Sequence, residues 1–88
     1  TKSNEFFDIA QREYQQGNYA TSIEYCNRSI DFYHNSPQIA KLKAMSYEKE
    51  LNYRGAIKYY QQYLAMNPNA ADKEQIIKKI EKFKTKAQ

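Results

Sequence analysis

A chain of 88 residues with 41% hydrophobic residues, one cysteine and a formal net charge of +4 is one small domain, with no room for a second core. Cys26 has no second cysteine in the chain to pair with, and no apolar run approaches the roughly 20 residues of a membrane span or forms a signal-peptide pattern. Residues 1–34 carry three basic and five acidic side chains, residues 35–70 five and two, and residues 71–88 six and three, so the basic excess belongs to the second half, where it suits solubility, an acidic partner or an anionic surface.

Glycine and proline are scarce, no segment alternates cleanly between apolar and polar residues, and a helical period runs through the chain. Phe6, Ile9, Ala10 and Tyr14 form the first apolar stripe, which Gln15–Asn18 interrupts. Gly17 suits the left-handed conformation that closes a helix. Tyr19, Ile23, Cys26, Ile30 and Tyr33 form the second stripe, ended by His34–Pro37, where Ser36 reads as an N-cap and Pro37 as the first helical residue. A third stripe takes Ala40, Ala44, Tyr47 and Leu51, and a fourth takes Tyr53, Ala56, Ile57, Tyr60 and Leu64 before Asn67–Asn69 stops it. The last segment reads with Asn69 as N-cap and Asp72 in the first turn, then Ile76, Ile80, Phe83 and Ala87 on one face. Ile77 falls off that face and is expected at the surface. Lys82, Lys84 and Lys86 sit at the helix end that favours cations. Five helices fit.

Two of these pairs are copies. Asn18, Tyr19, Ile23 and Tyr25 return 34 residues later as Asn52, Tyr53, Ile57 and Tyr59. A helical hairpin cannot bury its apolar stripe alone, but stacked hairpins bury a continuous core between neighbours. The second copy places Ala44 three residues before Tyr47, opens its second helix with Tyr53, spaces Ala56 and Tyr60 by four and closes at Pro68. In this the chain resembles the tetratricopeptide repeat family. The first copy is looser: Ala10 and Tyr19 keep their places, Ser22 and Cys26 replace the Ala and aromatic, Glu13 stands where the family has Tyr, and His34 stands for the closing Pro. Leu51 occupies the inter-helix turn where glycine is usual.

The resemblance implies an all-α fold of antiparallel helical hairpins stacked as a short right-handed α-solenoid. Repeat one covers about 3–36, repeat two about 37–70, and a capping helix about 70–87. Because the chain begins at Thr1 rather than Met, it reads as a piece of a larger polypeptide.

No catalytic constellation is visible. His34 and Cys26 share a stripe, with roughly 12 Å of helix between their backbones, whereas a nucleophile and its base need about 3 Å. One His and one Cys do not make a metal site, Glu48 and Glu50 do not face each other on a helix, and no Gly-rich phosphate loop occurs. No cofactor, metal or reaction is expected. Nine tyrosines are the unusual feature of the composition. Tyr25, Tyr47, Tyr53, Tyr59, Tyr60 and Tyr63 beside a basic half suit base stacking, but Tyr19, Tyr47, Tyr53 and Tyr60 coincide with packing positions, and Tyr59 and Tyr63 are expected to be partly exposed.

The resemblance implies a protein–protein interaction scaffold whose first helices line a concave groove for a peptide or partner helix. By matching position, Phe7, Gln11 and Tyr14 from the first copy and Lys41, Met45 and Glu48 from the second face that groove. A family branch grips chaperone C-terminal carboxylates with a Lys and Asn set. Phe7, Gln11 and Leu42 stand in those places here, which argues against that activity. The rival reading is a nucleic-acid- or acidic-partner-binding module using the basic half and a patch of Lys78, Lys79 and Lys82 on the last helix. Glu48 and Glu50 interrupt Lys41, Lys49 and Arg54, which favours protein over phosphate. The compartment stays open between a cytoplasmic default and a periplasmic or membrane-anchored parent.

Overall fold

The computed structural model describes residues 2–32 and 35–87, with side chains from Glu5 onward. Among the described residues the chain is five helices without a strand: α1 (Lys2–Gln15), α2 (Tyr19–Phe32), α3 (Pro37–Lys49), α4 (Tyr53–Met66) and α5 (Lys73–Lys86). The stripe position Tyr33 and the turn residue His34 lie outside the described residues.

Local chemistry accounts for the boundaries. Gly17 adopts φ 86°, and its N–H donates to the Tyr14 carbonyl while that of Asn18 donates to Glu13. These two bonds satisfy carbonyls that the helix end leaves without partners. Thirty-four positions on, Leu51 at φ 61° repeats the arrangement, with Leu51 N–H to Glu48 and Asn52 N–H to Tyr47. The turn is thus conserved between the copies although the glycine is not. An L-residue in this region costs roughly 1–2 kcal/mol, and Leu51, read as part of the third apolar stripe, is instead 69% exposed because the left-handed turn points it away from the core. Leu51→Gly is therefore expected to raise stability by about 0.5–1 kcal/mol, the relief of strain exceeding the entropy cost of glycine. Chemical denaturation that shows a loss would mean the exposed leucine stabilises the turn.

Ser36 caps α3 through Ile39 N–H to its Oγ, with Pro37 at the first helical position, as expected. Asn52 caps α4 by accepting from Gly55 N–H. The start of α5 departs from expectation: Asn69 is not the cap. The helix begins at Lys73 with Asp72 at the N-cap, and Asp72 makes no side-chain capping bond. Ala70 N–H to the Asn67 carbonyl and Lys73 N–H to the Ala70 carbonyl hold residues 67–73 in successive turns that use up the residues assigned to the helix.

The contacts define how the helices run. Tyr14 meets Tyr19, Ala10 meets Ser22 and Phe6 meets Phe32, so α1 and α2 are antiparallel. Tyr47 with Tyr59 and Lys41 with Tyr63 do the same for α3 and α4. Tyr53 with Lys86, Tyr60 with Lys79 and Tyr63 with Asp72 do so for α4 and α5. Each helix packs on its chain neighbours, and α1 also touches α3.

Two core clusters result. The larger joins Ala40, Ala44, Ala56, Tyr60, Tyr63, Ile76, Ile80 and Phe83 across α3, α4 and α5. The smaller joins Ala10, Cys26, Ile39 and Leu42 across α1, α2 and α3. The loose first copy closes its helix contact with small groups and hydroxyls: Ser22, fully buried, donates from Oγ to the Ala10 carbonyl at 2.8 Å. Ser46 Oγ of α3 lies 3.3 Å from the Ser22 Oγ and donates to the Leu42 carbonyl. Buried hydroxyls must find acceptors, and here each has one. Tyr63, expected to be partly exposed, is 7% exposed, because its hydroxyl finds an acceptor inside the fold. Ile77 is half-buried rather than at the surface.

Candidate functional site

A groove of about 380 Å³ opens between α1 and α3, lined by Phe7, Gln11, Tyr14, Gln15, Gln38, Lys41, Leu42 and Met45. Five of the six residues that the family resemblance implies for the groove, Phe7, Gln11, Tyr14, Lys41 and Met45, come together there. Helical spacing explains the gathering, since residues three and four apart share a face, and the contact of α1 with α3 brings the two faces side by side. Phe7 and Tyr14 rest on the smaller core cluster, and Tyr14 packs edge-on against Tyr19 with ring centres 5.3 Å apart. The groove thus has a floor anchored in packed residues. Burial, followed by the neighbouring Tyr19 and Glu48, raises the Tyr14 hydroxyl above its ordinary pKa, so it remains a neutral hydrogen-bonding group.

The sixth residue, Glu48, does not line this groove. Its Oε1 accepts from the Tyr60 hydroxyl at 2.7 Å and from Lys79 Nζ at 3.3 Å, tying α3 to α4 and α5. Burial first, and then the bond to Glu48, raises the Tyr60 pKa far above the ordinary tyrosine range. A matching bridge runs through Asp72, which takes Lys41 Nζ on Oδ2 and the Tyr63 hydroxyl on Oδ1, each at 2.6 Å. Lys41 pairs with Asp72 and Glu48 with Lys79 across the same 31-residue offset, so α3 and α5 run parallel, with the charge order reversed between the bridges.

The bond from Lys41, then that from Tyr63, holds the Asp72 carboxyl below its ordinary range. A carboxyl whose folded pKa is depressed contributes stability that is present above the unfolded pKa and lost as pH falls through the folded value. Acidification below about pH 4 is expected to loosen the fold, and Asp72→Asn should reduce the drop in melting temperature between neutral and acidic solution. An unchanged drop would mean that other carboxylates carry the acid sensitivity.

The lysine patch is divided. Lys78 and Lys82 are exposed, while Lys79 is drawn to Glu48 and to the Tyr60 ring at 5.7 Å. The tyrosines are largely occupied as well: Tyr60 and Tyr63 are buried, and Tyr47 stacks on Tyr59 at 5.5 Å with their planes 7° apart. Lys43 reaches that stack with its Nζ 3.9 Å from the Tyr59 ring centre and is only 5% exposed. Cys26 is fully buried, and burial pushes its thiol up to about 12, far from the thiolate that nucleophilic or redox chemistry requires. Among the described residues no group of three His, Cys, Asp or Glu gathers as metal ligands, and no helix is long and apolar enough to cross a membrane.

Sequence reasoning left out Gln15, Gln38 and the role of Leu42 in the groove, although Gln38 lies three residues before Lys41 and Leu42 three before Met45, spacings that share a helix face. It also missed the Asp72 bridge, for which no local pattern exists. No family model matches the chain, and no curated protein matches it.

Proposed function

We propose that this chain is a protein–protein interaction scaffold of the tetratricopeptide type, a short right-handed α-solenoid of two repeats and a capping helix. It takes a peptide or partner helix in the groove between α1 and α3 and carries out no reaction. The observation that supports this reading most is the convergence of Phe7, Gln11, Tyr14, Lys41 and Met45 on one groove, because the resemblance to the repeat family implies those positions without reference to any cavity. The pocket is of a size that holds small ligands or a few side chains, and its apolar floor supplies the buried contact on which peptide affinity rests.

Peptides selected by display against the immobilised chain provide the test. Tyr14→Ala with Met45→Ala is expected to weaken the selected peptides about tenfold or more while the helical circular dichroism spectrum is kept, and moderate salt should change affinity little. The nucleic-acid reading makes the opposite demand. Six phosphate contacts would lose about 10³ in affinity between about 50 and 200 mM salt. Micromolar binding of single-stranded DNA or RNA that survives the groove substitutions and vanishes on neutralising Lys78, Lys79 and Lys82 would overturn the scaffold reading.

A further inference from the structure

Lys43 is a charged residue that the groove does not use. It is 5% exposed, and a lysine is almost never buried so far unless it is paired. Among the described residues the ion-paired lysines are Lys41 and Lys79, and Lys43 has no hydrogen-bond partner either. Its Nζ rests over the Tyr59 ring, 3.9 Å from the centre. The ring face attracts the cation, yet three N–H donors are left without an oxygen acceptor. No described side-chain nitrogen is both fully buried and unpartnered, so these donors open to the surface.

A second ammonium comes to the same ring. Lys58 of α4 is exposed and places its Nζ 5.3 Å from the Tyr59 centre. The two nitrogens are therefore separated by no more than the sum of their distances to the ring. Tyr47, stacked on Tyr59, steadies the ring that both cations share. No carboxylate answers them. α4 contains no acidic residue, α2 turns the protonated Cys26 thiol toward Lys43, and Glu50, felt at the Tyr47 hydroxyl, pairs with neither lysine. Two like charges at one ring repel each other, and a single anion accepting from both would relieve that repulsion. A phosphate group suits the place, since it carries nearly two charges and three acceptor oxygens.

We infer that Lys43 and Lys58 form an anion site beside the Tyr59 ring that takes a phosphate group, either free or carried on a peptide. Lys43 is two residues from Lys41 and from Met45, a spacing that does not share a helix face, so the site lies off the groove and does not depend on the groove reading.

Thermal melts with inorganic phosphate, against chloride at equal ionic strength, test it, with a phosphoserine peptide and its unphosphorylated form as a second pair of probes. Phosphate is expected to raise the melting temperature where chloride does not. Lys43→Met, which keeps the buried stem, and Lys58→Gln should each weaken phosphate at least about tenfold, whereas Lys78→Gln with Lys82→Gln, which removes more charge at exposed positions, should leave it unchanged. If Lys43→Met fails to fold, Lys58→Gln carries the test alone. Phosphoserine peptide binding more tightly than inorganic phosphate would identify a peptide-borne group, and equal binding a free one. An equal response to phosphate and chloride, or a phosphate effect that Lys58→Gln leaves intact, would mean an adventitious ion only and overturn the site.

Discussion

Phe83→Ala is expected to lower the stability of this protein by about 3–5 kcal/mol, the range for truncating a buried phenylalanine. Phe83 is 4% exposed, with its ring centre 5.1 Å from that of Tyr53 and 6.5 Å from that of Tyr60. With Ile76 and Ile80 it forms the apolar face that α5 lays on α4. A domain of this size has about 5–15 kcal/mol of stability in all, so the substitution should bring the fold close to its limit. Truncation after Asn69 removes the same contacts together with the Asp72 and Lys79 bridges, and should give an aggregating or partly unfolded product. Urea denaturation of Phe83→Ala decides the matter: a midpoint within experimental error of the parent would show that α5 does not stabilise the rest of the chain. A monomeric, fully helical truncation would show the same and would return attention to the exposed lysines Lys78 and Lys82 as a free basic arm.

Ala56→Leu should cost about 1–3 kcal/mol by overpacking. Ala56 is fully buried in α4, in the cluster that also holds Ala40 and Ala44 of α3 and Tyr60 of its own helix. Alanine at these places lets the α3 and α4 backbones approach, and packed interiors leave little space for added methylene groups. The expected consequence is a melting temperature lower by several degrees, at about 4–8 °C per kcal/mol for a domain of this size. A variant that melts with the parent would show that Ala56 faces slack space and that the alignment of the second copy is misplaced. Together the two substitutions separate the seams: Ala56→Leu strains the core of the second hairpin, and Phe83→Ala empties the contact between that hairpin and α5.

The five helices and most of their apolar stripes were legible in the sequence because each is a local property, while Leu51 at the end of the third stripe and Asn69 at the start of the last helix were misplaced. Ser36–Pro37 starts a helix through a hydroxyl and a fixed φ, and Gly17 ends one through a conformation that its neighbours require. The fixed period carried more. It located Leu51 at the turn equivalent to Gly17, where the structure places both residues at positive φ with the same pair of backbone hydrogen bonds. The family resemblance, not the period, assigned six groove residues on two helices, of which five line the groove. What only the tertiary structure decided is the use of the long polar side chains. Glu48, placed in the groove by the family resemblance, is turned instead to Tyr60 and Lys79. Asp72, read as an ordinary first-turn acid, holds Lys41 and Tyr63 and so allows Tyr63 to be buried. Lys43 lies nearly buried against Tyr59. The physical reason is range. Helix faces and caps depend on neighbours within about one turn, whereas a carboxylate's partner is chosen by which ammonium or hydroxyl the fold brings within reach, and for Asp72 and Glu48 that ammonium lies 31 residues away along the chain.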